Sequence, residues 1–468
     1  MEKLYSLSPL DGRYHSKVAE LREYFSELAL INARIFVEGE YFIFLNQYLS
    51  SKKRNIKKLT EKEIKAIRKI YLNRDKNAIE VKKIEFGGDG KIKPTNHDVK
   101  AVEYYLKREL DGKIKTNLEL IHFGLTSEDV NNISYSILIS SFLNKIYIPT
   151  FNEILSKLKD MILKYNSTPF PARTHGQIAS PTTFGKEIRV FYERIKKQFE
   201  NIKKTKITVK LNGAVGNYNS FYSAYPDIDW LEFTSFFVKH INDVLKTDFK
   251  PNYFTTQIEP HDSWIEIFDR IRHINSIFIG FSQDIWRYIS DDLIVLKVIK
   301  EEVGSSTMPH KVNPINFENA EGNFQIANAI LEFFSTKLPI SRMQRDLSDS
   351  TIERNIGVAF GYTILAMKSF LEGLSKISLN EEKSIKIIEE NPQVYAEAIQ
   401  TVLRKHGVKN AYEILKDLTR GNRVSMKDIQ DFIENMKMKN SIKEELKKII
   451  SKTYIGIAPK LSKYKLEE

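Results

Sequence analysis

Between Gly304 and Pro314 the chain reads Gly304-Ser305-Ser306-Thr307-Met308-Pro309-His310-Lys311-Val312-Asn313-Pro314. Two prolines and a glycine keep this segment out of a helix interior. Ser305 and Ser306 place hydroxyl oxygens beside the fixed positive charge of Lys311. A hydroxyl next to a cation in a turn-forming loop is the composition of an acid–base or nucleophilic site.

Three further polar clusters stand where apolar periodicity begins. Arg173-Thr174-His175-Gly176-Gln177 follows Pro169 and Pro171 and precedes Ser180-Pro181, which reads as an N-cap and first helical turn, so His175 is expected on a constrained loop. Thr95-Asn96-His97-Asp98 precedes Val99, Val102 and Leu106, and Thr126-Ser127-Glu128-Asp129 opens a long periodic stretch. Capping by Asn96, Asp98, Thr126 or Ser127 accounts for part of this composition but does not call for His97 or His122. The nine histidines contain no HxH or HExxH pattern, so an acid–base role is favoured over a metal site.

Arg345 and Arg354, with Ser350 and Thr351 between them, offer guanidinium forks and hydroxyls suited to phosphate or carboxylate. A salt-bridge cluster with Asp346, Asp349 and Glu353 accounts for the same residues equally well.

The elements that must position these groups are helical. Apolar residues recur at three- and four-residue spacing over Glu128 to Leu163, Thr182 to Leu211, Asp262 to Lys300, Phe317 to Thr336 and Thr351 to Ile377. Pro149 should kink or split the first of these. The expected fold is all-α, with a lobe of shorter helices over 1–112, a central long-helix bundle over 113–377 that carries the serine loop, and a last helical lobe over 378–468. β signals are weak and local.

Composition narrows the classes. The 468 residues are 42% hydrophobic and contain no cysteine, which excludes disulfides, zinc–thiolate sites and iron–sulfur clusters. No segment offers the roughly 18 uninterrupted apolar residues of a membrane span, and a soluble, cytoplasmic protein is expected. The net charge of +12 is spread in pairs such as Lys52-Lys53 and Lys203-Lys204 rather than gathered on one element with aromatics, against a nucleic-acid binder and compatible with steering of a polyanionic small molecule.

Taken in order, Ser8-Pro9-Leu10-Asp11-Gly12-Arg13-Tyr14, Thr95 to Asp98, His122 to Asp129, Arg173 to Gln177, Thr255-Thr256-Gln257-Ile258-Glu259-Pro260-His261-Asp262, the serine loop and Arg345 to Arg354 resemble the adenylosuccinate lyase family of the fumarase/aspartase superfamily, in its bacterial-type branch. The resemblance implies elimination of fumarate from adenylosuccinate to give AMP, and from SAICAR to give AICAR, in purine nucleotide biosynthesis. It implies Ser305 as general base, His175 as general acid with Glu318 as its orienting partner, His97 as a substrate-binding histidine that assists proton transfer, and Lys311 as the cation beside the developing charge. Substrate contacts carry over to Arg13, Tyr14, Asn96, Asp98, Thr126, Ser127, Gln257, Asn319, Arg345, Ser350, Thr351 and Arg354. No metal or cofactor is implied, and a homotetramer with a joint helical core and sites shared between subunits is. Gly87-Gly88-Asp89-Gly90 and Lys93-Pro94 depart from the shorter, more acidic approach to Thr95 that the family shows. A sister lyase acting on argininosuccinate is the alternative, and a binding protein on an inactivated scaffold a weaker one, since Ser305, His175 and Lys311 are intact.

Overall fold

The computed structural model describes residues 2–88, 90, 92–297, 308, 311–419, 424–450 and 454–466. They form helices joined by short turns and four two-stranded ladders, as the all-α expectation requires. The chain divides into two compact units: residues 1–150, 198–275 and 323–365, and residues 151–197, 276–322 and 366–468. Among the described residues no helix is long and apolar enough to cross a membrane.

In the first unit the central element is the 25-residue helix Glu27–Ser51. The Ser26 hydroxyl caps it by accepting from the Ala29 N–H at 3.2 Å. This corrects the expectation of shorter helices in the first lobe. Buried side chains run round the whole helix, from Leu30 and Ile31 through Val37, Tyr41 and Phe42 to Leu45 and Leu49, so no single apolar stripe marks it in the sequence. It packs along the helix Ser127–Phe142. At one end Phe142 stacks on Phe360 with centroids 4.6 Å apart, and Phe25 and Phe268 close the cluster against Phe360 at 5.4 and 5.5 Å.

Pro149 splits its stretch as expected. Ser127–Phe142 gives way to a π turn, Leu143–Tyr147, before Ile148–Lys164 begins. The proline has no N–H, and its ring would meet the carbonyl four residues back, so the backbone inserts a residue just before it. The helix predicted from Asp262 to Lys300 ends at Ser290 and is followed by the strand Ile294–Leu296. The one predicted from Thr351 forms two pieces, Ser348–Glu353 and Ile356–Lys376. Between them the Asn355 side chain donates to the Thr351 carbonyl at 3.1 Å, a local bond that competes with helix continuation.

The second unit holds two nested hairpins, Pro169–Phe170 with Thr182–Thr183 and Arg173–Thr174 with Gln177–Ile178. Phe370 meets Phe278 and Phe281 at 4.8 and 5.2 Å, and Ile294–Leu296 pairs antiparallel with Ile377–Leu379. A separate core of Val394, Ile399, Leu403, Leu415, Ile433 and Leu446 sits near the C-terminus.

Candidate active site

In the first unit, His97 is itself the N-cap of the helix Asp98–Leu110. Its backbone is extended, and Nδ1 accepts from the Lys100 N–H at 3.2 Å. The sequence reading gave capping to Asn96 or Asp98. Instead Asn96 takes a left-handed conformation, φ 47°, and its N–H bonds to the Glu85 carbonyl, while the imidazole turns inward to the helix start. With Nδ1 accepting, a neutral ring carries its proton on Nε2. Nε2 lies 3.5 Å from the Ser127 hydroxyl, so an exposed N–H donor and a serine oxygen meet at adjacent helix N-termini.

Asp98, the next residue, joins distant segments. Its Oδ2 lies 2.9 Å from Nη2 of Arg34 and 3.0 Å from Nη2 of Arg354. Arg34 rises from the middle of the Glu27–Ser51 helix, buried, and its Nε donates to the Asn131 amide oxygen at 2.9 Å. Burial pushes the Asp98 carboxyl up, but the two guanidiniums outweigh it and hold the group below the usual carboxylate range. Arg354 also lines a cavity of about 650 Å³ with Ser8, Asp11, His15, Arg22 and Arg74. Arg13 and Tyr14 lie on the same N-terminal segment as Ser8 and Asp11, with the Arg13 guanidinium 5.9 Å from the Tyr14 ring centre.

Thr126 and Ser127 are held by the acid that follows them. Asp129 Oδ2 accepts from the Thr126 N–H at 2.8 Å, and its Oδ1 accepts from Lys210 Nζ at 2.6 Å and from the Asn212 N–H at 3.0 Å. Lys210 and Asp129 are both fully buried. This pair fixes the turn that presents Ser127.

Gln257 and Arg345 are brought together, with Arg345 Nη1 donating to Gln257 Oε1 at 3.2 Å. Arg345 Nε lies 3.5 Å from Asp349 Oδ2. Arg345 thus has Asp349, a partner the salt-bridge reading named, whereas Arg354 pairs with Asp98 instead and keeps 46% of its side chain exposed. Ser350 and Thr351 stand on the short helix Ser348–Glu353 beside them. Behind that helix, Glu353 Oε1 is 3.2 Å from Nε2 of His261, which stacks on Trp264 at 4.4 Å.

In the second unit, His175 and Gly176 occupy the tip of the Arg173–Thr174/Gln177–Ile178 hairpin, with φ 52° and 75°. Two consecutive left-handed residues make the tight turn whose twist suits a two-residue hairpin. The expectation of a constrained loop is met, and the imidazole is exposed. The hairpin is anchored by Ile178, packed against the C-terminal core, and by Ser180, which donates to Glu397. Glu318 and Asn319 stand in the first turn of Ile315–Lys337. Glu318 Oε1 accepts from Trp286 Nε1 at 3.1 Å, and among the described residues no hydrogen bond joins it to His175. Lys311 is exposed, its N–H bonded to the Met308 carbonyl at 3.1 Å. Ser305 lies outside the described residues.

Arg34 and Lys210 were missed as parts of this arrangement, His261 was quoted without a role, and Glu353 was expected only as a salt-bridge partner of the arginines. Arg34 carried a usable signal, the single charge between Glu27 and Glu38 in a mostly apolar run, and so did His261 in the quoted Glu259-Pro260-His261-Asp262 segment. His122, flagged as surplus, has its Nδ1 2.5 Å from Glu38 Oε1; burial works against its charge, and the carboxylate raises it above the usual histidine range.

The arrangement has counterparts. Residues 12–327 match the Lyase family and residues 341–455 the adenylosuccinate lyase C-terminal family. The chain is 46% identical over 468 residues to adenylosuccinate lyase of Dictyostelium discoideum and 43% identical over 469 residues to that of Buchnera aphidicola from Acyrthosiphon pisum, covering 98% of each chain in both. It is 40% identical over 461 residues to the Escherichia coli K12 enzyme of the same name, again covering 98% of each. In fold it resembles the 3-carboxy-cis,cis-muconate lactonizing enzyme of Pseudomonas putida, with TM-score 0.72 and 16% identity over 96% of each chain.

Proposed function

We infer the reaction from one premise: the chain belongs to the adenylosuccinate lyase family, with the helical fold of the fumarase/aspartase superfamily, and is a carbon–nitrogen lyase. The reaction we assign is β-elimination of fumarate from adenylosuccinate, leaving AMP, and from SAICAR, leaving AICAR. A base removes the proton from the carbon next to a carboxylate. The electron pair is held as a dianionic aci-carboxylate, the C–N bond then breaks, and the departing nitrogen takes a proton.

Ser305 is assigned as the base and His175 as the acid at nitrogen, with Lys311 beside the developing dianion and Glu318 as the partner that orients the imidazole. Thr126, Ser127, Gln257, Lys311 and Asn319 suit the succinyl carboxylates. Arg13, Tyr14, Arg345, Ser350, Thr351 and Arg354 suit the nucleotide phosphate, with Asn96 and Asp98 shaping the wall between. The observation that carries this reading is His97. Its Nδ1 is committed to the helix start, which leaves Nε2–H beside the Ser127 hydroxyl and one residue from the Asp98–Arg354 pair, an N–H, an O–H and a guanidinium suited to one anionic substrate.

The working form in this proposal is a homotetramer whose sites draw on more than one subunit. Ile326 and Phe333, seven residues apart on the Ile315–Lys337 helix, are 44% and 51% exposed in the single chain and support helix-to-helix association. Soluble nucleotide substrates favour a cytoplasmic location.

The test is an ultraviolet assay of purified protein with adenylosuccinate, following AMP and fumarate together. Turnover of argininosuccinate with none of adenylosuccinate would assign the chain to the sister reaction instead.

A further inference from the structure

Glu128, His261 and Glu353 lie behind three segments that face the proposed substrate. Each is nearly inaccessible, at 1%, 0% and 2% exposure, and their side-chain donor atoms fall within 4.8 Å of one another. Glu128 follows Ser127 directly. His261 is four residues beyond Gln257, and Glu353 immediately precedes Arg354. The three side chains therefore join the backs of the Ser127 turn, the Gln257 loop and the Arg354 corner.

Charge balance says how they can be held. Glu259 already accepts hydrogen bonds from Thr208, Asn252 and the His261 N–H. That leaves Glu128, Asp349 and Glu353 facing two cations, Arg345 and an imidazolium on His261. Lys210 is committed to Asp129. Three buried carboxylates against two cations is costly; one proton on a carboxyl restores neutrality. Glu353 has His261 at 3.2 Å and Asp349 has Arg345 at 3.5 Å, ion-pair contacts not aligned as hydrogen bonds, whereas Glu128, its Oε1 buried with no hydrogen-bond partner, makes no ion pair among the described residues. Tyr135, on the Ser127–Phe142 helix beside the cluster, supplies no positive charge, and Arg34 and Arg354, whose charges also reach it, are drawn to Asp98.

We propose that Glu128, carrying a proton, and the His261–Glu353 ion pair act together as positioning residues that lock Ser127, Gln257 and Arg354 into one geometry for the nucleotide substrate. The role rests on the adenylosuccinate reading above, touches no reacting atom, and is neutral overall. Burial, with Glu353 and Asp349 nearby, pushes the Glu128 carboxyl well up, in the direction the charge balance requires.

Glu128→Gln keeps the shape and hydrogen-bonding capacity of a protonated acid, whereas Glu128→Ala removes it. With adenylosuccinate, E128A and E353Q should raise KM at least tenfold with kcat changed less than threefold, and E128Q should restore KM to within threefold of the unsubstituted enzyme. If E128Q is as impaired as E128A, or if E353Q leaves KM unchanged, the proposal is overturned. Thermal unfolding between pH 5 and pH 8 reads the proton without turnover, and so separates this proposal from the assignment of substrate. A raised carboxyl weakens the folded state as pH climbs from the ordinary glutamate value toward the raised one. E128Q should accordingly unfold at a higher temperature than the unsubstituted protein at pH 8, with the gap closing at pH 5. A lower midpoint for E128Q at both pH values, or recovery of the unsubstituted protein's stability on adding zinc after chelation, would show an ionised Glu128 holding a cation and sink the idea.

Discussion

Asp98 Oδ2 lies 3.0 Å from Arg354 Nη2, a contact between residues 256 positions apart that ties the start of one helix to the corner beyond another. Arg34 reaches the same oxygen from a third helix. Asp98 is thus the junction of a cationic corner in which Arg34 is buried and Arg354 is half open to solvent, and its substitution should affect stability and recognition together.

Asp98→Asn leaves Arg34 buried without its counter-charge, and should cost roughly 2 to 4 kcal/mol of unfolding free energy, read by urea titration. The carboxyl is held below its ordinary value. The pair's contribution is therefore present above about pH 4 and fades as pH falls through the depressed value. Asp98→Asn should lose that acid limb; an unchanged limb would assign it to other carboxylates.

His97 has two separable roles. Asparagine is a good N-cap, so His97→Asn should stay within about 0.5 kcal/mol of the unsubstituted protein, whereas His97→Ala should lose about 1 kcal/mol. Turnover should fall by about a hundredfold or more in both. Full activity in the asparagine variant would limit His97 to capping.

Ser305→Ala should bind adenylosuccinate with little change, by equilibrium dialysis, while turnover disappears, because the group acts only in the transition state. His175→Ala should be similarly inactive. Mixing the two inactive proteins under conditions that exchange subunits should regenerate part of the activity if sites are shared; no recovery in a verified mixed oligomer would refute sharing.

Lys210→Met strands Asp129 in the interior and should cost roughly 3 to 5 kcal/mol. Since Asp129 also holds the Thr126 N–H and the Asn212 N–H, amide exchange at those two positions should accelerate first.

Much of this was legible from residue order. The long helices show their periodicity, Pro149 announces the break that follows Phe142, and the clusters around His97, Ser127, Gln257 and Arg345 stand apart by composition. What escaped depends on three-dimensional convergence. The Glu27–Ser51 helix is buried round its circumference and so carries no stripe to detect. Histidine is an uncommon cap, and nothing local distinguishes His97 from its neighbours Asn96 and Asp98. The turn at His175 was expected to be constrained, but its two-residue hairpin geometry requires pairing of Thr174 with Gln177, which short polar strands do not advertise. Arg34 and Asp98 are separated by 64 positions, and only folding makes them partners.

The π turn at Leu143–Tyr147 makes one region of the sequence unusually sensitive to length. Deleting a single residue there would press the backbone back toward regular α geometry, where Pro149 offers no N–H and its ring meets the carbonyl four residues back. Adding one, with no further bulge to absorb it, would swing everything after it by about 100° around the helix axis. Phe151, Ile154, Leu158 and Ile162, now buried along one stripe, would be turned away from their contacts. A one-residue insertion in this stretch should therefore be better tolerated by local helicity than by assembly of the fold, a distinction that far-ultraviolet circular dichroism and size-exclusion behaviour would separate.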